Sequence, residues 1–181
     1  MFISDKGDLK SSLENLLDNK SRFYLSKIER INMLEKLVEL FKKYALQNQN
    51  PEVIDLCEFI KYSIYKYKSW TSNLKVERMP KGIVYHIPSS NILFMPFYSW
   101  VSSFLCGNFN FVRLSNSIEK KEIENLVTLL DQVLGEQYKY SQIFFEDKFE
   151  NLNSKIISKY CDVRIIWGNN NTIHEIKKNQ I

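Results

Sequence analysis

The stretch from Gly82 to Asn116, GIVYHIPSSNILFMPFYSWVSSFLCGNFNFVRLSN, admits few folds. Gly82 to Ile87 is a short apolar run rich in β-formers, stopped by the polar breaker Pro88-Ser89-Ser90-Asn91. From about Met95, the residues Phe97, Trp100, Val101, Phe104 and Leu105 recur at three- and four-residue spacing, which predicts one apolar helix face. Gly107 stands where a helix stop favours a residue free to take positive φ, and a second apolar strand, Phe109 to Leu114, follows at once. Two apolar strands joined by a helix form a βαβ unit, which is almost always parallel and right-handed. Ligands of open parallel sheets sit at the carboxyl ends of the strands, so the Pro88–Asn91 loop marks the expected site.

The remainder of the chain extends this pattern. Upstream, Leu9, Leu13, Leu16 and Leu17 suggest a short helix ending near Asn19. A longer one is predicted from about Ser26, its N-cap, to Leu46, with Ile28, Ile31, Leu34, Leu37, Val38, Phe41 and Ala45 as its stripe. Asn50-Pro51-Glu52 opens a third helix with a cap, a proline at the first position and an acid at the dipole's positive end. Its stripe is Val53, Leu56, Cys57, Ile60, Ile64 and Tyr67. Residues 1–72 therefore read as a helical N-terminal region.

Past the connector of Thr71 to Lys81, strands alternate with helices, and residues 80–181 read as an α/β unit. A helix is expected from Asn116-Ser117 to Gly135 on the face of Ile123, Leu126, Val127, Leu130, Val133 and Leu134. Strands are expected at 141–145 and 163–167, with a helix over about Phe149 to Lys159 between them and a final helical turn from Thr172 to Lys178. Such alternation implies a doubly wound parallel sheet.

In their order, these motifs resemble the start of the cofactor domain of the aldehyde dehydrogenase superfamily, and in particular the long-chain acyl-CoA reductases of the bioluminescence type. The superfamily's Pro-x-Asn loop, helix-ending Gly-Asn and strand ending in Lys-Pro-Ser-Glu have counterparts in Pro88-Ser89-Ser90-Asn91, Gly107-Asn108 and Arg113-Leu114-Ser115-Asn116. Trp167-Gly168-Asn169 resembles the reductases' tryptophan-glycine-glycine turn. The resemblance implies a Rossmann-like fold, the aldehyde dehydrogenase cofactor domain, in the N-terminal portion of an NADPH-dependent reductase of fatty acyl-CoA to aldehyde.

The same resemblance assigns roles. Asn91 matches the asparagine that donates its amide to the oxyanion formed when a cysteine attacks the carbonyl; in its own right it could equally only shape a turn. Ser89, Ser90, Arg113, Ser115, Asn116, Gly168 and Asn169 fall at cofactor-binding positions. Arg113 in place of lysine, and Asn116 in place of a glutamate that would repel a 2′-phosphate, favour NADP over NAD. Asn169 departs from the family's serine or second glycine, which weakens the case for close phosphate contact. His86, at the end of the first strand, reads as a structural hydrogen-bonding residue.

Covalent reduction needs an activated thiol, and none of the three cysteines matches the family's nucleophile, which lies in a later domain. Cys57 and Cys106 are expected on buried helix faces and Cys161 just before a strand. The chain is thus expected to be inactive alone, and the alternative reading is a non-catalytic nucleotide-binding or subunit-interaction module. His174-Glu175 begins a His-Glu-x-x-His zinc motif, but the fifth position is Lys178, so no metal is expected.

Composition supports a cytoplasmic protein, with a homo-oligomer or partner subunit as an open alternative. There is no apolar run long enough to span a membrane and no secretory signal. An odd number of cysteines without metal spacing fits reduced thiols. The net charge of +4, spread along the chain, is too mild for a nucleic-acid partner. The basic, aromatic segment KYSIYKYKSW at 61–70 reads as a helix end with lysines in solvent and tyrosine rings partly packed, rather than a base-stacking surface.

Overall fold

The computed structural model describes residues 2–3, 6–72, 79–114, 120–146, 152–171 and 173–174. In chain order these form strand β1 (Phe2–Ile3), helices α1 (Lys6–Asp18), α2 (Lys27–Asn48) and α3 (Pro51–Ser72), then β2 (Ile83–Ile87), α4 (Met95–Leu105) and β3 (Phe109–Leu114). Helix α5 (Lys120–Leu134), β4 (Gln142–Glu146), α6 (Leu152–Tyr160) and β5 (Val163–Ile166) follow. The expected helix start at Asn116-Ser117 and most of the last helical turn lie outside the described residues.

Local sequence explains the boundaries. At the start of α2 the Ser26 hydroxyl accepts from Glu29 N (3.2 Å), while Ser26 N donates to the Glu29 carboxylate (2.7 Å). Both orphan donors are thereby met in a capping box. Asn50 caps α3 by accepting from Val53 N at 3.2 Å, ahead of Pro51. Gly107 leaves α4 at φ 85°, as its position predicts.

All strand pairs are parallel, in the order β1-β4-β3-β2-β5. The four expected strands are present, and β1 adds a fifth at the edge, in a region where the sequence indicated only helices. The chain steps outward from β2 to β3 to β4, then returns to lay β5 on the other side of β2. That reversal is a topological switch point, and it puts the carboxyl ends of β2 and β5 side by side.

Side-chain alternation divides the core between the sheet's two faces. Val112, Leu114 and Phe144 face α4 and α5, over which α2 and α3 form a further layer within the same cluster. Ile83, Tyr85, Phe109, Phe111, Ile143 and Phe145 face α1 and α6. Strand β5 is half-buried along its length, as an edge strand is, whereas β2 is buried throughout.

The helical stripes are buried nearly as their periodicity indicated, with two corrections. Ile28 is exposed, because it lies in the first turn of α2 where Leu25, ahead of the cap, fills the core instead. Cys106, expected on the buried face of α4, is exposed, because the helix ends at Leu105 and the turn into Gly107 swings residue 106 outward. On α3, Tyr62, Tyr65 and Trp70 are more exposed than expected and only Tyr67 packs against the core. The lysines there are interrupted by acids, as in the Lys68–Glu35 pair (2.9 Å) and Lys61–Glu58 pair (2.7 Å), so the surface is not a continuous basic stripe. Among the described residues no helix is long and apolar enough to cross a membrane.

Candidate functional site

Every described candidate residue lies at the carboxyl end of the sheet. After β2 the chain turns through Ser89, Ser90 and Asn91 and enters α4 with Pro96 in its first turn. After β5 it turns through Trp167, Gly168 and Asn169. The second turn is tied to the end of β2 and to α4: Trp167 N donates to Ile87 O at 2.9 Å, and the indole Nε1 of Trp167 donates to Ser99 Oγ at 2.9 Å. Arg113, half-buried at the end of β3, neighbours the end of β2, since Val112 is in register with His86. Ser115 and Asn116 lie outside the described residues.

Asn91 is exposed and lines a cleft of about 350 Å³ with Glu52, Asp55, Leu93, Phe94 and Tyr98. The acids come from the first turns of α3, where sequence reading noted only Glu52, as a helix-dipole partner. Burial, reinforced by Asp55 and Glu52, holds the Tyr98 phenol above its ordinary value. Ser89 and Ser90 line a smaller hollow against Pro96, Leu114 and Ile123. Gly168 and Asn169 are exposed.

These positions surround the carboxyl edge on both faces. Arg113 shares a strand face with Phe109 and Phe111, whose side chains face α1 and α6, whereas the Asn91 cleft opens between α3 and α4 on the opposite face. One ligand touching both must be extended and cross the strand ends. The cleft's carboxylates disfavour anions, while Arg113 places a cation on the other side.

Behind the loops lies a buried polar chain that sequence reading found only in part. His86 is wholly buried, as a structural hydrogen-bonding residue should be: Nδ1 meets Ser99 Oγ at 2.7 Å and Nε2 meets Asn110 Oδ1 at 2.9 Å. Asn110 Nδ2 donates to Gln142 Oε1 (2.8 Å), which also accepts from Trp100 Nε1 (2.9 Å). Burial pushes the imidazole down to about 4, outweighing the upward pull of its bond to Asn110. His86 is therefore neutral near pH 7. Asn110 in an otherwise apolar strand was the signal available, since a buried amide requires partners.

The cysteines sit away from the loops. Cys106 and Cys161 flank the amino ends of β3 and β5, the opposite end of the sheet, and Cys57 is in the core. Burial pushes the Cys57 thiol up to about 11 and raises that of Cys161.

A family model described as acyl-CoA reductase (LuxC) matches residues 10–181. The chain belongs to that family. No curated protein matches it. Among solved structures, the glyceraldehyde-3-phosphate dehydrogenase GapN of Methanocaldococcus jannaschii, complexed with NADP, is similar with a TM-score of 0.72 at 15% identity. The likeness covers 99% of this chain and 45% of that one. At that identity it shows the fold, which is that of an aldehyde dehydrogenase, and this chain spans less than half of that dehydrogenase's length. The family resemblance and the Rossmann-like fold expected from the motifs are thereby borne out.

Proposed function

We propose that the chain is the nucleotide-binding N-terminal portion of an NADPH-dependent acyl-CoA reductase that makes aldehydes from fatty acyl-CoA. One observation carries this reading: membership of the acyl-CoA reductase family, with the Pro88–Asn91 loop and the Trp167–Asn169 turn following adjacent strands at the sheet's switch point. The donor set suits the cofactor. Arg113 is a planar cation at a strand end, matched to the 2′-phosphate, with Ser115 and Asn116 next in sequence. The backbone of Gly168 and Asn169 would meet the pyrophosphate, and Ser89 and Ser90 would meet the ribose nearer the reacting end. The bound cofactor would supply hydride to a thioester carbonyl. Asn91 would donate its amide to the oxyanion there, a contribution worth about 3–4 kcal/mol in comparable sites. The phosphate-bearing end would lie toward Arg113, away from the Glu52 and Asp55 carboxylates.

Calorimetry tests this reading. NADP should bind about tenfold more tightly than NAD, and Arg113→Ala should remove most of that preference. Equal affinities unchanged by the substitution would refute the cofactor assignment.

The placement of the cysteines favours a second reading, in which residues 1–181 bind nucleotide without reducing anything. An oxyanion donor has nothing to stabilise until a nucleophile attacks. After incubation with a long-chain acyl-CoA, mass spectrometry should find no acylated cysteine, and NADPH should release no aldehyde. Stable acylation of Cys57, Cys106 or Cys161 with NADPH-dependent turnover would overturn that reading.

A further inference from the structure

We propose that Ser99 is a positioning residue: it joins His86 to Trp167, and so holds the Trp167–Gly168 turn against α4 and the end of β2, beside the Pro88–Asn91 loop, as one wall of the nucleotide crevice. The inference rests on the nucleotide-binding reading above and adds to it a helix residue outside both loops.

The argument starts from donor chemistry. An indole N–H can only donate. Trp100 Nε1 therefore fixes the oxygen of Gln142 at Oε1, the point where the Asn110 amide also arrives. Asn110 must present its NH₂ to that oxygen and its Oδ1 to His86, so His86 carries its proton on Nε2. Nδ1 is then an acceptor, and Ser99 gives it the hydroxyl proton at 2.7 Å. With that proton committed, Ser99 Oγ is an acceptor toward Trp167 Nε1 at 2.9 Å. One proton arrangement satisfies the whole chain, from the buried Trp100 to the surface Trp167.

Its outer end bears on the site. The Trp167 side chain is 43% exposed, and an indole so placed ordinarily offers its N–H to water. Here the N–H is directed inward to a serine that is 3% exposed, while the backbone N of the same residue is held by Ile87 O. Two bonds at right places on one residue leave the turn little freedom relative to β2 and α4. Without the Ser99 hydroxyl, His86 keeps Asn110, but the Trp167 indole loses its inward acceptor and can swing to solvent. Trp167→Phe isolates the effect on the turn beside Gly168, because Ser99→Ala also leaves the buried His86 Nδ1 without its donor.

The experiment uses the full chain, with NADPH affinity from fluorescence titration and indole and imidazole signals from nitrogen-15 NMR. In the parent, the Trp167 indole N–H should exchange slowly despite the exposed ring, with His86 protonated at Nε2. Ser99→Ala and Trp167→Phe should each weaken NADPH binding about fivefold, the scale of one hydrogen bond. The double variant should lose no more than either single one, and Ser99→Thr, which keeps the hydroxyl, should restore most of the affinity. Affinities within about twofold of the parent in Trp167→Phe would overturn the inference even if Ser99→Ala failed to fold; so would multiplying losses of about twenty-five-fold in the double variant. A parent chain that binds no NADPH would overturn the nucleotide reading itself, and this inference with it. Binding that persists unchanged in the variants would sink the inference alone.

Discussion

At the scale of single residues, His86 sets a pH dependence. Its folded value of about 4 lies below the ordinary 6.5, so the unfolded chain takes up the proton first as pH falls. Stability is then fully present above about pH 6.5 and declines through the window down to about pH 4. The loss is of the order of 3 kcal/mol. Urea denaturation at a series of pH values should show that slope, and His86→Gln should flatten it. The cysteines give a second residue-level expectation. Iodoacetamide should label the exposed Cys106 readily, while Cys57, buried and with its thiol pushed up to about 11, should react only on unfolding. Peptide mapping after a timed pulse checks the order. Sequence spacing put Cys106 on a helix face, but the helix ends one residue earlier, so its exposure was settled by the turn rather than the stripe.

At the scale of elements, caps and turns carry measurable weight. Ser26→Ala removes one half of the α2 capping box and should cost about 1 kcal/mol in denaturation experiments. Gly107 and Gly135 form a contrasted pair. Both have positive φ, at 85° and 72° respectively, and Gly135 combines it with ψ 169°, so alanine is strained at either, by about 1–3 kcal/mol. At Gly135 an added methyl meets nothing within 4 Å, whereas at Gly107 it would lie 3.0 Å from the Arg30 guanidinium. Arg30 cannot yield cheaply, because its Nε donates to Leu105 O at the end of α4 and another nitrogen donates to the Tyr67 hydroxyl. Gly107→Ala should therefore cost more than backbone strain alone, and Arg30→Ala should reduce that cost. A Gly107→Ala loss unchanged in the Arg30→Ala background would show that Arg30 does not constrain the turn. The glycine positions were legible in the sequence as helix stops; Arg30, more than seventy residues from the carbonyl it caps, was not.

At the scale of the whole molecule, the helical N-terminal region and the α/β unit share one core. Phe41 of α2 meets Phe97 of α4 edge to face at 5.7 Å, and Phe97 in turn contacts Phe144 of β4 at 5.1 Å. Stripping away residues 1–72 would expose the outward faces of α4 and α5. Urea unfolding followed by circular dichroism and by tryptophan emission should accordingly give coincident transitions. Residues 80–181 expressed alone should fail to show a cooperative one. Phe41→Ala, which removes the N-terminal region's ring from this contact, should cost about 3–5 kcal/mol. Two separated transitions in the full chain would show that the regions fold independently.

What the sequence determined by itself was local: which segments are helix and strand, where the breakers fall, and the direction of the βαβ crossover. Period and turn chemistry act over a few residues, and handedness follows from chain chirality, so these needed no tertiary information. The order of motifs also located the Pro88–Asn91 loop and the Trp167–Asn169 turn, because strand ends follow from strand positions. Only the tertiary structure decided that the second turn is tied to the end of β2 and to α4, that Arg113 and the Asn91 cleft lie on opposite faces, and that Glu52 and Asp55 from α3 make that cleft acidic. The edge strand at Phe2–Ile3 and the proton-ordered chain from Trp100 to Trp167 were likewise invisible. The physical reason is common to all of these: they are pairings between residues far apart in sequence, fixed by how the sheet is ordered and how the helices layer upon it, and local periodicity carries no trace of them.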